Sequence, residues 1–269
     1  MRHILILTLL FLCPFLSIAD ERVQKAEEAY SSMQYNAAAT LLSQVADSLQ
    51  QIGETPSADI YYNLGNAHYR QQQYTEASLN YLRALRIRPG FTHAHDNLQK
   101  AQLHMGLQDI ESDEMFFIQW FRMLVNTYGV EGWTTFSIFF LLLGFLALAV
   151  YVLPQRIALR KAGFTVFVIA LFGMAFCIVN ASIQRYRYNH NMQAIISSPE
   201  VKVLTSPSPN SKEVITLREG QIFTILNDES EKNWIHISIP GTETEGWMTE
   251  KGFIKVVEDA PAQKEGTTK

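Results

Sequence analysis

No charged residue lies between Glu131 and Arg156, and none between Lys161 and Arg185. Each stretch holds about 20 or more apolar residues, enough to cross a hydrocarbon core of roughly 30 Å as a helix rising about 1.5 Å per residue. Lipid offers the backbone no partner, so a spanning segment must satisfy its own peptide groups, which favours helix over an open strand. The first span is expected from Trp133 to Leu153 and the second from Phe164 to Ile183. Gly144 and Gly173 fall inside them, at small positions of the kind that membrane helices use for close packing. A buried hairpin in a soluble core is the competing reading, but the flanking segments lack the apolar surface to wrap two helices so uniformly greasy. The expected fold class is a multidomain membrane protein: a transmembrane helical hairpin over residues 132–184, with a polar domain at each end.

The amino terminus has the layout of a secretory signal over residues 1–19. Arg2 supplies the positive start, Ile4 to Leu12 the apolar run, and Ser17-Ile18-Ala19 a small-x-small cleavage pattern. Leu12 before Cys13 does not suit a lipoprotein, and an uncleaved anchor is disfavoured by Pro14 and the short run. Export of that end requires the hairpin loop to face the cytoplasm. Arg156, Arg160 and Lys161, with no acid among them, agree with the positive-inside tendency, although Arg185 and Arg187 stand on the other side. The net charge is -6 from Asp20 to Glu131, +5 from Gly132 to Met192 and -4 from Gln193 to Lys269. Two acidic outer domains make nucleic acid an unsuitable partner. With Cys13 in the signal and Cys177 in the second span, no intrachain disulfide is expected.

Residues 20–108 have helical periodicity and an internal repeat. From Ala58 to Phe91, Tyr61, Leu64, Gly65, Tyr69, Tyr74, Ala77, Tyr81, Ala84, Leu85, Ile87 and Pro89 fall at the spacings of a two-helix unit of about 34 residues. Gly65 and Ala77 are small where the antiparallel helices come closest, Tyr61, Leu64 and Tyr81 fill the gap, and Pro89 stops the second helix. A weaker copy precedes it, with Tyr30, Tyr35, Ala38, Leu42 and Val45 in register with Tyr69, Tyr74, Ala77, Tyr81 and Ala84. Gly53 to Ser57 connects the copies, and Thr92 to Met105 reads as the first helix of an uncompleted third. Leu98, Ala101 and Leu103 of that helix are expected to cover the end of the stack. Fewer than three full repeats also calls for help from the membrane or a partner.

This segment resembles the tetratricopeptide repeat (TPR) family, whose all-α repeats bind other proteins in a groove lined by the first helix of each unit. The resemblance implies a protein-binding groove at Asp59, Tyr62, Asn66, Tyr69 and Arg70, flanked by Glu27 and Tyr30 before and Lys100 after. Asn66 stands where the family often bonds a ligand backbone; the same residues suit an ordinary solvated face equally well. Residues 109–131 read as an acidic linker followed by the aromatic-rich stretch from Met115 to Leu124. That stretch is too short to span and is expected to lie on the bilayer as an interfacial helix, with docking onto a partner's membrane helix as the alternative.

Beyond the second span the period becomes alternating. Val201-Lys202-Val203, Val214 to Leu217, Gln221 to Leu226, Ile235-His236-Ile237 and Gly246-Trp247-Met248 read as short strands, separated by Ser206 to Asn210, Glu219-Gly220 and Pro240-Gly241. They point to a small all-β barrel over residues 193–257, followed by a polar tail, 258–269, with a disordered composition. In their order these motifs resemble bacterial SH3-like domains, relatives of which bind cell-wall peptides or proteins. Trp234, opposite in direction to Ile235, is a surface anchor or, like Trp247, part of the barrel packing.

The whole order of signal, repeats, hairpin and SH3-like domain resembles the BatE proteins of the Bacteroides aerotolerance system. That resemblance implies a complex with a MoxR-type ATPase and von Willebrand factor A domain proteins, in the bacterial inner membrane, with both outer domains periplasmic. No catalytic motif accompanies it. His93 and His95 are two residues apart and point to different faces of a helix, so no metal site is expected. A phosphate-binding glycine loop and a serine-nucleophile motif are both missing from the sequence. No cofactor and no catalytic residue are therefore expected. The leading reading is a non-enzymatic membrane scaffold; the alternative is a peptidoglycan tether or sensor acting through the SH3-like domain. A membrane enzyme would have only the uncharged Asn180 and Ser182 to work with.

Overall fold

A computed structural model of the chain describes residues 17–107, 116–153, 156–190, 192–227, 233–242 and 244–257. Most of the expected signal, the acidic linker and the tail lie outside these residues; Ser17 to Ala19 form the first turn of a helix. The helices are α1 (Ser17–Ser31), α2 (Tyr35–Gln51), α3 (Ala58–Arg70), α4 (Tyr74–Ile87), α5 (Thr92–His104), α6 (Phe116–Asn126), α7 (Val130–Val152) and α8 (Ile157–His190). The strands are β1 (Met192–Ile196), β2 (Glu200–Leu204), β3 (Glu213–Arg218), β4 (Ile222–Asn227), β5 (Trp234–Ser238), β6 (Glu245–Thr249) and β7 (Phe253–Lys255). They cluster into two compact units. One holds the repeats and the sheet; the other holds residues 86–91 and 112–191.

In the first unit, α1–α2 and α3–α4 are paired helices, and α5 is the unpaired first helix of the third copy. The repeat is visible in the backbone as well as in the side chains. Helices α1, α2, α3 and α5 each end on a left-handed residue, Met33, Gly53, Gln72 and Gly106. The amide of the residue after it donates to a carbonyl five residues back: Gln34 to Ala29, Glu54 to Leu49, Gln73 to His68 and Leu107 to Gln102. This is the double-bonded termination that satisfies orphan carbonyls at helix ends. The offset relating Tyr35 to Tyr74 also relates Met33 to Gln72. Edge-on ring pairs recur with it, Tyr30–Tyr35 at 5.2 Å and Tyr69–Tyr74 at 5.5 Å. A Cβ on Gly65 would sit 2.6 Å from the Tyr81 ring, so glycine is what lets α3 and α4 approach.

The seven strands form one antiparallel sheet in the order β3-β2-β6-β5-β4-β1-β7. The expected closed barrel is corrected here: among the described residues the edge strands β3 and β7 share no ladder, so the sheet is open. It still curls around a single core, to which Ala194, Leu217, Phe223, Ile235, Met248 and the half-buried Phe253 contribute from six strands. Register shifts at Val203/Leu204 and Ile225/Asn227 add the local bend and twist that curling needs. Turns do the remaining joining: Gly220 donates to the Ile196 carbonyl at 2.9 Å, and Ser197 to that of Gly252 at 2.9 Å. Strands β1 and β7 were absent from the alternating pattern. Ala194, Ile195 and Ile196 are all fully buried, so β1 is a continuous apolar run with both faces covered.

The second face of β1 is covered by the repeats. Ile195 and Val256 share an apolar cluster with Ala77, Leu79 and Leu82 of α4 and Leu98 and Ala101 of α5. Thr75 donates to Glu219 at 3.0 Å, and Arg83 to the Val256 carbonyl at 3.2 Å. Leu98 and Ala101 cover the stack as expected; Leu103 does not, being 59% exposed. The sheet supplies the rest of that cover.

In the second unit α7 and α8 form an antiparallel pair, both long and apolar enough to cross a membrane. Gly163, Ala170, Cys177 and Gln184 of α8 are buried at seven-residue spacing, the seam of a left-handed helix pair. Gly163 makes the closest approach: a Cβ there would lie 2.7 Å from the Tyr151 amide and 2.9 Å from the Ala147 carbonyl. Gly173 packs on the Phe140 ring, whereas Gly144 has ordinary room. Helix α8 is longer than the expected span, and Arg160 and Lys161 lie in its first turns and not in the loop. At the opposite end Trp133 Nε1 and Gln184 Nε2 both donate to the Val125 carbonyl at 3.0 Å, tying the end of α6 to the pair.

Candidate functional site

The three first helices of the repeats, α1, α3 and α5, are stitched together by polar side chains on one side of the stack. Arg70 Nε donates to the Tyr30 hydroxyl at 3.3 Å, joining α3 to α1. That hydrogen bond strengthens the hold of the exposed Arg70 guanidinium on its proton. From α3 to α5 the link runs through amides: Asn97 Nδ2 donates to Asn66 Oδ1 at 2.9 Å and to the Tyr62 hydroxyl at 3.4 Å. Lys100 Nζ reaches Asn97 Oδ1 at 3.4 Å.

Asn66 is the centre of this arrangement because its carbonyl also accepts from the Tyr81 hydroxyl at 2.9 Å. Tyr81 is fully buried between α3 and α4, and that burial pushes its phenol well above the ordinary value. The amide oxygen of Asn66 is thus committed to the fold. Its amino group is the donor end of the same side chain.

Of the expected groove positions, Asp59 is exposed in the first turn of α3, where a carboxylate complements the helix dipole. Tyr62 is half-buried, its ring 6.0 Å from that of Tyr81. Tyr69 stands edge-on to Tyr74 and to His104, whose imidazole stacks on Tyr74 at 4.7 Å. Glu27 and Lys100 face solvent at either side. The structure therefore brings Tyr62, Asn66, Tyr69 and Arg70 onto one surface, with Asp59 at its rim. Asn97 and His104 belong to the same surface and were missed by the sequence reading. Their signal was positional: each lies beside the buried stripe of Ala94, Leu98 and Ala101 on the helix that neighbours α3.

This surface offers donors, acceptors and aromatic edges, but no nucleophile paired with a base. Among the described residues no three His, Cys, Asp or Glu side chains converge as metal ligands, and His93 and His95 both face solvent.

On the sheet, Trp234 is half-buried and lines an open cleft of about 370 Å³ with Ser198, Lys202, Pro209 and Lys251. Trp247 does not pack the core, contrary to expectation: it lies on the outer face, stacked on His236 at 4.8 Å, while Met248 takes the inward position. Alternation along β6 leaves room inward for only one of the two neighbours.

The tetratricopeptide repeat family model matches residues 58–91, which are α3, α4 and the turn after them. A search of curated proteins finds no match. Tetratricopeptide repeats suggest protein–protein interaction.

Proposed function

We propose that this chain is a non-enzymatic, membrane-anchored scaffold that holds another protein in the groove built on α1, α3 and α5. The observation that carries the reading is the repeat at residues 58–91, whose first helix presents Tyr62, Asn66, Tyr69 and Arg70 on one surface. An extended peptide or a helix fits such a surface, because amide and hydroxyl groups can bond its backbone while Asp59, Arg70 and Lys100 select its charges.

Helices α7 and α8 support the anchoring. Their outward residues, among them Leu142, Phe145, Phe172 and Val179, are large, apolar and exposed, which suits lipid far better than water. The domain order supports a BatE-like component of the bacterial inner membrane, with the repeats and the sheet on the periplasmic side. A MoxR-type ATPase and von Willebrand factor A domain proteins are the partners this reading expects.

Purification of the full chain from gently solubilised membranes, followed by mass spectrometry, tests it. Recovery of those partners, lost when Asp59→Lys and Arg70→Glu are combined, is the expected result. Unchanged recovery by the double variant removes the groove from the proposal. A second reading, a peptidoglycan tether, draws on the Trp234 cleft; sedimentation of the chain with purified sacculi, abolished by Trp234→Ala, would favour it instead.

A further inference from the structure

Helix α6 presents Phe117, Trp120, Phe121 and Leu124 to solvent, with Phe117 71% exposed. Their spacing of i, i+3, i+4 and i+7 places all four on one face. At 11 residues the helix is about 16 Å long, too short to cross a bilayer.

Its position relative to the hairpin is set by hydrogen bonds at its carboxy-terminal end. The Val125 carbonyl receives Trp133 Nε1 and Gln184 Nε2, and Asn126 Oδ1 receives Gln184 Nε2 at 3.1 Å and Arg187 Nη1 at 3.0 Å. Trp133 opens the apolar run of α7 and Gln184 follows the last aliphatic residue of α8, Ile183. Helix α6 therefore begins to leave the hairpin at the level where its apolar surface gives way to polar residues.

We propose that the four-residue face of α6 inserts into the headgroup boundary of the leaflet at that end of the hairpin, making a second, interfacial membrane contact. The proposal rests on the membrane reading of α7 and α8. Three features favour lipid over a protein as the occupant. The helix that carries the face is tied through Val125 and Asn126 to the end of the apolar hairpin, and its phenylalanines and tryptophan are of the bulky, aromatic type that inserts at membrane boundaries. At that end of the hairpin Arg185 and Arg187 outnumber Glu131, the acid in the first turn of α7, and no acid follows from Gly132 to Met192, which suits anionic headgroups.

The test uses the full chain with Cys13→Ala and Cys177→Ala, reconstituted in vesicles of phosphatidylethanolamine and phosphatidylglycerol. Single cysteines at Phe117, Phe121, Leu142, Phe172 and His93 carry spin labels, and the accessibility of each to oxygen and to a water-soluble nickel chelate is read. Labels at 117 and 121 should report a shallow lipid position, between the water value at 93 and the deep values at 142 and 172. Chelate accessibility at 117 and 121 equal to that at 93, with 142 and 172 still deep, overturns the inference and leaves the hairpin reading intact. Shielding of 117 and 121 from both reagents assigns the face to protein and overturns it too. Water values at 142 and 172 would sink the membrane reading itself.

Discussion

Gly65 and Tyr81 decide how closely α3 and α4 pack, and each can be tested alone. A methyl group on Gly65 meets a ring that is itself fully buried and lies 3.2 Å from the Ala77 carbonyl. Gly65→Ala should cost about 1–3 kcal/mol of overpacking, measured as a lower urea midpoint of the unit that holds the repeats. Asn66→Ala removes the acceptor of the Tyr81 hydroxyl and should cost about 1–3 kcal/mol for the buried group left unpaired. Tyr81 also makes stability depend on pH. Because its folded pKa is raised, the unfolded chain releases the proton first, above about pH 10, so the folded state binds more protons and loses stability as pH rises. Tyr81→Phe should therefore show a smaller fall in urea midpoint than the parent between about pH 8 and pH 10.5. At this scale the small and large positions of the repeat were legible, since their spacing repeats along the chain. Leu103 and Trp247 were not, because which side of an element is covered depends on neighbours remote in sequence.

Among the elements, α4 departs furthest from its sequence pattern. Thr75, Ser78 and Asn80 are polar and lie on more than one side of the helix, yet all three are buried, along with Ala77, Tyr81 and Ala84. One side packs on α3 and the other on the sheet. Among the described residues the hydroxyl of Ser78 and the amide oxygen of Asn80 have no hydrogen-bond partner, a cost accepted where a small polar side chain fits between two packed layers. In the hairpin the decisive element is α8, whose Gly163 admits the α7 backbone. Gly163→Leu should force the helices apart near the loop, lengthening distances measured by paired spin labels at Leu148 and Thr165. An unchanged distance would show that the pair adjusts without the glycine.

For the whole molecule, the repeats and the sheet are structurally interdependent. Two and a half repeats leave an open end, and Ile195, Val256 and the Gly220 turn close it; a Cβ on Gly220 would collide with the Met105 side chain. Ile195→Asp places a carboxylate in that apolar seam and should lower the thermal midpoint of the repeats as well as of the sheet, in one shared transition. Two separate transitions, with the repeats unmoved, would contradict the coupling. The sheet meets the repeats through residues of both α4 and α5, among them Leu82, Leu98 and Ala101.

What the chain determines by itself is local: two uncharged runs that must be helices, one repeat unit down to its glycine, and alternating strands after the hairpin. These are legible because periodicity and small-residue spacing are properties of neighbouring positions. Tertiary structure decided the rest. The second buried face of α4 and the two-sided burial of β1 arise from contacts such as Thr75 with Glu219 or Arg83 with Val256, far apart along the chain, and the open edge of the sheet likewise depends on remote strands. A periodic pattern records that a face is apolar, but the identity of what covers it is set only when remote elements meet.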